Sequence, residues 1–202
     1  MSLARAFLIP FVALFAALVP VSASQSAPAR PSAAAASAGV ETLMAEAARV
    51  YADEATSDDK KVSAFADLLK DAFAMDFMAA YAIRGRERDF TDDQRTAYRA
   101  VFPDYFAASF ARQFGDIADR PFAVSETREF GDRDLAVVSV IERDGASDVD
   151  IVWRTRLFDG EVKIVDVSAN GSSVLLARRR DIGAVLKARG ADGLLAALKE
   201  QS

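Results

Sequence analysis

Apolar residues recur every three or four positions from Val40 onward, which is the spacing of one face of an α-helix. A second helix is predicted to begin after Ser57, because Asp58 and Asp59 follow it and acidic side chains suit the positive end of a helix dipole. A shorter apolar segment at 74–83 comes next. The first part of the domain is therefore predicted to be helical.

A clear helix start lies further along, at Thr91. Thr91 and Gln94 have the spacing of a capping box, in which each side chain bonds the backbone N–H of the other residue. The predicted helix carries aromatic residues at a constant spacing of four: Tyr98, Phe102, Phe106, Phe110 and Phe114. Such a ladder winds slowly around a helix. The pattern is compatible with ordinary core packing or with the wall of a ligand cavity.

After Gly115 the period of the pattern changes from helical to two, which is typical of β-strands. Glycine-containing turn sequences separate four predicted strands, at 121–130, 132–143, 147–158 and 161–168. Short connections between successive strands predict an antiparallel meander. Both faces of the second strand are largely apolar.

The chain is predicted to end with two helical segments, 172–190 and 191–200, separated by Gly190. Helices followed by a meander and a helical end are typical of the α+β class. We expect several helices packed on a bent, mostly antiparallel sheet of four to five strands.

The start of the chain has the features of an export signal. An apolar run at 6–19 follows Arg5, and small residues precede a predicted cleavage site after Ala23. The run is short for a bilayer span, so an uncleaved membrane anchor is the less favoured alternative. Ala, Ser and Pro dominate 24–39, which predicts a disordered linker before a domain at 40–202.

Composition excludes several kinds of chemistry. The 202 residues include no Cys and no His, so disulfides, thiolate nucleophiles, a Ser-His-Asp triad and a zinc site of the usual kind are excluded. With 25 basic and 30 acidic side chains the net charge is −5, which argues against a nucleic-acid binder.

Two groups of charged residues are candidates for chemistry or binding. Asp148 and Asp150 lie two positions apart on a predicted strand and could act as an acid and a base, although acids beside a turn are usually solvated. A basic group stands out in this acidic chain: Arg178, Arg179, Arg180 and Lys187. It is either a solvated helix face or a contact for lipid phosphates or an acidic partner.

A spaced signature near the C-terminus resembles a known family. It comprises Asp166, Val167, Gly171, Ser173 and Val174, then Arg178 and Arg179, then Gly190, Asp192, Gly193 and Leu194. The pattern resembles the MlaC family of periplasmic phospholipid-binding proteins, also called toluene-tolerance proteins, over about 40–200. The stretch 84–88 departs from the family, which usually has an aromatic pair before the helix cap.

The resemblance implies that the sheet and helices enclose an apolar cavity for lipid acyl chains, with the headgroup exposed. Apolar positions on the enclosing elements are then candidates for the wall: Phe73, Phe77, Tyr81, Phe102, Phe106, Phe110, Val138, Val140, Ile151, Trp153, Val165 and Val167. The basic group is the candidate for contact with the lipid headgroup or with a partner protein. No catalytic residue, metal or cofactor is expected, and phospholipid is the cargo.

The resemblance also implies a function and partners. We expect a non-enzymatic, monomeric periplasmic carrier that shuttles phospholipid between the inner and outer membranes and so maintains outer-membrane lipid asymmetry. It would exchange lipid with an inner-membrane ABC transporter bearing a lipid-binding ring and with an outer-membrane lipoprotein and porin complex. Three alternatives stay open: a carrier of a related lipid such as a hopanoid, a small-ligand enzyme using Asp148 or Asp150, and an interaction module whose aromatics are all core.

Overall fold

The computed structural model describes residues 30–115, 120–142 and 148–202. The described residues form five α-helices and a 3₁₀ turn at Glu87–Asp89; the α-helices are α1 Ala33–Ala52, α2 Asp58–Ala72, α3 Met75–Ala82, α4 Asp92–Phe114 and α5 Val174–Glu200. They also form five strands: β1 Phe122–Phe130, β2 Asp134–Ile141, β3 Val149–Phe158, β4 Glu161–Ala169 and β5 Ser172–Ser173. The export signal predicted for 1–23 lies outside the described residues.

Helix α1 begins earlier than the sequence predicted. The linker assignment for 24–39 is wrong from residue 33 onward, because Ser32 caps the helix by accepting a hydrogen bond from the Ala35 backbone N–H at 3.2 Å. Alanine has the highest helix propensity, and Ala36 is fully buried against the domain. Arg30 is also fixed, since it donates to the Gly131 carbonyl at 2.7 Å.

Helix α4 begins as predicted. The Thr91 hydroxyl accepts from the Gln94 N–H at 3.2 Å, and the Gln94 side chain accepts from the Thr91 N–H at 2.9 Å. These two bonds satisfy backbone donors that the helix itself leaves free. The helix then continues through Pro103 to Phe114.

The sheet is the predicted antiparallel meander, in the order β1-β2-β3-β4-β5. The turn before β4 has positive φ angles at Asp159 (49°) and Gly160 (88°), as tight hairpin turns require. Register shifts interrupt β1 near Val124 and β4 near Val165. Such bulges bend strands and increase twist, so the sheet curves.

Helix α5 reverses direction at Gly190, where the backbone takes φ 69° and ψ −177°. Its two segments are the ones predicted from the sequence. Three hydrogen bonds fix their course along α4: Arg178 to Gln113 at 3.1 Å, Gln94 to Asp192 at 2.7 Å, and Arg112 to the Gln201 carbonyl. The first segment therefore runs antiparallel to α4, and the second returns beside it.

The main core lies between the helices and one face of the sheet, which we call the inner face. Alternate residues of β2 and β3 point into it, including Val137, Ile141, Ile151 and Trp153, all of them buried. None of the helices in the described ranges is both long and apolar enough to cross a membrane.

Candidate functional site

The aromatic ladder of α4 forms a continuous column inside the domain. Ring centroids of successive members lie 5.7, 5.8, 6.0 and 4.5 Å apart from Tyr98 to Phe114. Phe73, at the end of α2, adds a ring 5.7 Å from Phe106 and 5.6 Å from Phe110. This column places a large polarizable apolar surface opposite the inner face of the sheet.

Tyr98 anchors the start of the column. Its hydroxyl donates to the Ala79 carbonyl at 3.2 Å, which joins α4 to α3. Burial raises the pKa of the Tyr98 phenol well above its ordinary value. The phenol therefore stays protonated and remains a donor at physiological pH.

A small apolar cavity of about 20 Å³ lies at the other end of the column. It is lined by Met44, Phe65, Phe110, Phe114, Ile141, Ile151, Trp153 and Val167. Helices α1, α2 and α4 thus form one wall, and strands β2, β3 and β4 form the other. Binding sites for small molecules usually occupy about 300 to 1,000 Å³, so this interior is nearly filled by its own side chains.

Trp153 has a fixed orientation in the cavity wall. Its indole N–H donates to the Ser139 hydroxyl at 2.9 Å, and Ser139 in turn donates to the Ile151 carbonyl at 3.4 Å. Trp153 is only 4% exposed. The hydrogen bond satisfies the buried polar atom, so the ring can present an apolar surface to the cavity.

The structure brings together only part of the predicted wall. Phe110, Ile151, Trp153 and Val167 line the cavity. Phe73, Phe102 and Phe106 belong to the adjoining aromatic column, and all three are buried.

The remaining predicted wall residues lie elsewhere. Val138 and Val140 alternate with Ile141 along β2, so they lie on the outer face of the sheet, away from the cavity. The Phe77 ring contacts Phe158 at 5.9 Å, and Tyr81 stacks beside it at 6.2 Å. Val165 is the extra residue of the bulge in β4 and is fully buried.

Sequence reasoning missed four residues of the cavity wall: Met44, Phe65, Phe114 and Ile141. The spacing contained a signal for two of them. Phe114 is the last member of the α4 ladder, and Ile141 shares a strand face with Val137. Met44 and Phe65 come from α1 and α2, whose packing onto the sheet is not local in sequence.

The predicted basic group divides into two kinds of residue. Arg179 donates to the Tyr81 and Arg84 carbonyls, both at 2.8 Å, and so satisfies acceptors at the end of α3. Arg178 donates to Gln113 at 3.1 Å and pairs with Asp181 at 3.4 Å. These two arginines hold helices together.

Arg178 also affects a buried phenol. Burial raises the pKa of Tyr105, and the neighbouring Arg178 charge offsets part of that rise. The role of Arg178 is therefore tied to the packing of α4 against α5.

Arg180 and Lys187 line an open cleft of about 540 Å³ between the end of α3 and the first segment of α5. Its other lining residues are Ala82, Arg84, Arg86, Leu176, Arg179, Gly183 and Ala184. We call this feature the basic cleft. It shares no lining residue with the apolar cavity.

The carboxylate pair considered from the sequence lies in solvent. Asp148 and Asp150 are both exposed, and Asp150 pairs in register with Val140 on the outer face. Across the described ranges, no group of three or more acidic side chains is arranged to hold a metal ion. The pair therefore has no contact with the apolar cavity.

These features define an α+β domain in which a helical layer and a bent meander meet around an aromatic, apolar interior. Residues 40–200 match the family described as MlaC protein. The chain therefore belongs to the MlaC family, as its C-terminal signature predicted.

A solved structure has the same fold. The chain is similar to the phospholipid-binding protein from Ralstonia solanacearum, whose structure was determined in complex with a phospholipid at 1.53 Å resolution. The two chains are 19% identical and superpose with a TM-score of 0.69, over 82% of this chain and 96% of that one. The match confirms the predicted fold class.

Proposed function

We propose that this protein is a periplasmic carrier that binds the acyl chains of a phospholipid between its helical layer and its sheet. The observation that carries the proposal is the apolar cavity, where the α4 aromatic column meets Trp153. Membership of the MlaC family supports it, as does the phospholipid bound by the Ralstonia protein of the same fold.

Lipid transport across water needs such a carrier. Exposing one buried methylene costs about 0.8 kcal/mol, so two chains of roughly 15 methylenes each cost on the order of 24 kcal/mol. A protein interior that buries both chains removes most of that cost. Binding and release then suffice for transport, and no chemical step is needed.

The small size of the cavity sets a condition on binding. A volume of about 20 Å³ cannot hold an acyl chain, so the helical layer has to separate from the sheet as lipid enters. Met44 and Phe65 of the helices and Ile151 and Val167 of the sheet line this interface. Their contacts are apolar and non-directional, so lipid methylenes can replace them without leaving polar groups unpaired.

The complete transport proposal includes export and exchange. The predicted signal at 1–23 delivers the protein to the periplasm. There it shuttles phospholipid between an inner-membrane ABC transporter with a lipid-binding ring and an outer-membrane lipoprotein and porin complex. This traffic maintains the lipid asymmetry of the outer membrane, and family membership supports it.

Native mass spectrometry tests cargo binding. Protein incubated with phospholipid vesicles and then separated from them should carry one phospholipid per chain. A hopanoid mass in protein purified from the source cells would assign the cargo to a related lipid instead. A chain that stays lipid-free under both conditions would contradict the carrier function.

Two neighbouring residues of β2 provide a matched test of the cavity. Ile141 lines the cavity, whereas Val140 lies on the outer face. Ile141→Trp should abolish most phospholipid loading because the larger ring occupies the space that lipid must enter. Val140→Trp should load normally, and the loading is measured by native mass spectrometry.

Circular dichroism and thermal unfolding control for loss of the fold in both variants. Overpacking at Ile141 should cost about 1 to 3 kcal/mol, and the smaller Ile141→Phe change tests the position if the Trp variant unfolds. If a folded Ile141 variant and the Val140 variant load phospholipid equally, the cavity is ruled out as the lipid-binding site.

A further inference from the structure

The basic cleft is a concave surface with cationic walls. Arg84 and Arg86 follow the end of α3, and Arg179, Arg180 and Lys187 lie on α5. Small residues form the floor: Ala82, Gly183 and Ala184. The floor leaves room for a group that approaches the cations lining the cleft.

Few carboxylates neutralise these cations. Arg86 lies 3.8 Å from Asp89, and Arg84 stacks on the Tyr81 ring at 4.9 Å. Within the described ranges, no carboxylate forms an ion pair with Arg180 or Lys187. Mutual repulsion among the five cations that line the cleft therefore favours the binding of an anion.

The nearby Glu87 carboxylate is already engaged. It accepts a hydrogen bond from the Gly85 N–H at 2.9 Å. Backbone hydrogen bonds, first from Glu87 itself and then from Gly85, lower the pKa of this carboxyl, and the charges of Arg179 and Arg84 add smaller contributions, so Glu87 offsets part of the positive charge beside the cleft. Glu87 thus fixes the loop that carries Arg84 and Arg86.

Two further contacts position the walls of the cleft. Arg179 holds the Arg84 backbone carbonyl at 2.8 Å. Arg86 lies over Gly183, where an added β-carbon would be 3.6 Å from its Nε atom. A larger side chain at Gly183 would therefore meet the Arg86 guanidinium.

We propose that the basic cleft is a phosphate-binding site, separate from the apolar cavity. Guanidinium groups bind phosphate oxygens in pairs, and the Lys187 ammonium adds a point charge. A volume of about 540 Å³ holds a phosphate ester with its glycerol or a similar group. The phosphate can come from an anionic lipid headgroup at a membrane surface or from a soluble phosphate ester.

This site goes beyond the proposed carrier function and does not depend on it. The two sites share no lining residue, so a phosphate in the cleft leaves the acyl-chain cavity accessible.

Isothermal titration with sn-glycerol 3-phosphate, and with inorganic phosphate, tests the site. The full-length mature chain should bind at least one of these probes saturably, with an affinity that falls as salt rises. The double variant R180E/K187E should weaken binding at least about tenfold, because it replaces two attractive charges by repulsive ones. The double variant K60E/K199E makes the same charge change at exposed positions elsewhere and should bind like the wild type.

A second pair of variants blocks the cleft without changing charge. Gly183→Met should weaken binding about as strongly as charge reversal, because the side chain fills the floor beneath Arg86. Gly183→Ala should bind normally, since its β-carbon makes only ordinary contacts. Equal binding by Gly183→Met and wild type would overturn the assignment to the cleft.

Vesicle sedimentation distinguishes the two sources of phosphate. Binding to phosphatidylcholine vesicles that contain phosphatidylglycerol, lost in R180E/K187E, supports a membrane headgroup. Binding of the soluble probe without vesicle binding supports a soluble ester.

Two outcomes would overturn the proposal: no binding of either probe or of the vesicles, or equal weakening in K60E/K199E. Loading of phosphatidylcholine, followed by native mass spectrometry, should be the same in all these variants. The phosphate site and the acyl-chain site can therefore fail independently.

Discussion

Asp166 of the C-terminal signature joins β4 to the start of α5. Its carboxylate is nearly buried and accepts hydrogen bonds from the Ser173 hydroxyl at 2.6 Å and the Leu175 N–H at 3.1 Å. Ser173 caps the same helix by accepting from the Leu176 N–H at 3.0 Å. A negative charge at this helix start also suits the helix dipole. Asp166 and Ser173 therefore maintain the fold, and neither of them lines the cavity.

Replacing Asp166 should destabilise the domain more than replacing the other aspartate of the signature. Asp166→Ala removes the acceptor of a part-buried hydroxyl and of a buried backbone donor, which should lower the free energy of unfolding by about 1.5 to 3 kcal/mol. Asp192→Ala removes only an exposed bond from Gln94 and should cost less than about 1 kcal/mol. Urea denaturation measures both, and an equal loss of stability would contradict this role of Asp166.

The sequence could predict some residues of the cavity wall but not others. Trp153 and Ile151 were identifiable because the other face of their strand is mixed and carries Arg154. Val138 and Val140 were predicted for the wall but lie on the outer face, because both faces of β2 are apolar and periodicity cannot tell which one the helices cover.

The sequence pattern also cannot show which residues of the basic group bind the protein itself. Arg179 and Arg180 are adjacent in sequence and identical in chemistry. Both line the basic cleft, but adjacent helical residues point about 100° apart, so Arg179 and not Arg180 donates to the Tyr81 and Arg84 carbonyls. Only the packing of α3 against α5 distinguishes their roles.

The elements themselves were predictable where local signals were strong. The capping box at Thr91 and the glycine turns placed α4 and the strands within a few residues of their observed ends. The start of α1 was not predictable, because an Ala, Ser and Pro composition is also typical of linkers. The contact of Arg30 with Gly131 joins residues 101 apart in sequence, which no local pattern contains.

Gly190 permits the reversal of α5. Its φ of 69° with ψ of −177° lies in a backbone region that is essentially restricted to glycine. Gly190→Ala should therefore lower the free energy of unfolding by about 1 to 3 kcal/mol.

Gly39 is the matched control, because it lies inside α1 with no atom within 4 Å of an added β-carbon. Gly39→Ala should raise stability by about 0.5 to 1 kcal/mol, since alanine is the better helix former. Thermal or urea unfolding compares the two variants. A neutral Gly190→Ala change would show that α5 can reverse without this backbone conformation.

At the scale of the whole molecule, the fold class and the family could be predicted from the sequence, but the volume of the interior cavity could not. The resemblance implied a cavity for acyl chains, and the structure contains an apolar cavity of only about 20 Å³. Cavity volume depends on how all side chains of the helical layer pack on the sheet at once, which periodicity does not specify. The carrier account therefore requires that lipid entry expands this interior.

The fluorescence of Trp153 gives the most direct test of acyl-chain binding in the cavity, because Trp153 is the single tryptophan of the chain and lies in the cavity wall. Bromine quenches indole fluorescence only near contact, so phospholipids brominated along their acyl chains report whether a chain reaches this wall. Loading with brominated phospholipid should strongly quench Trp153 emission, whereas loading with the same lipid without bromine should not. Equal emission in the two complexes, with lipid occupancy confirmed by native mass spectrometry, would contradict acyl-chain binding between the helices and the sheet.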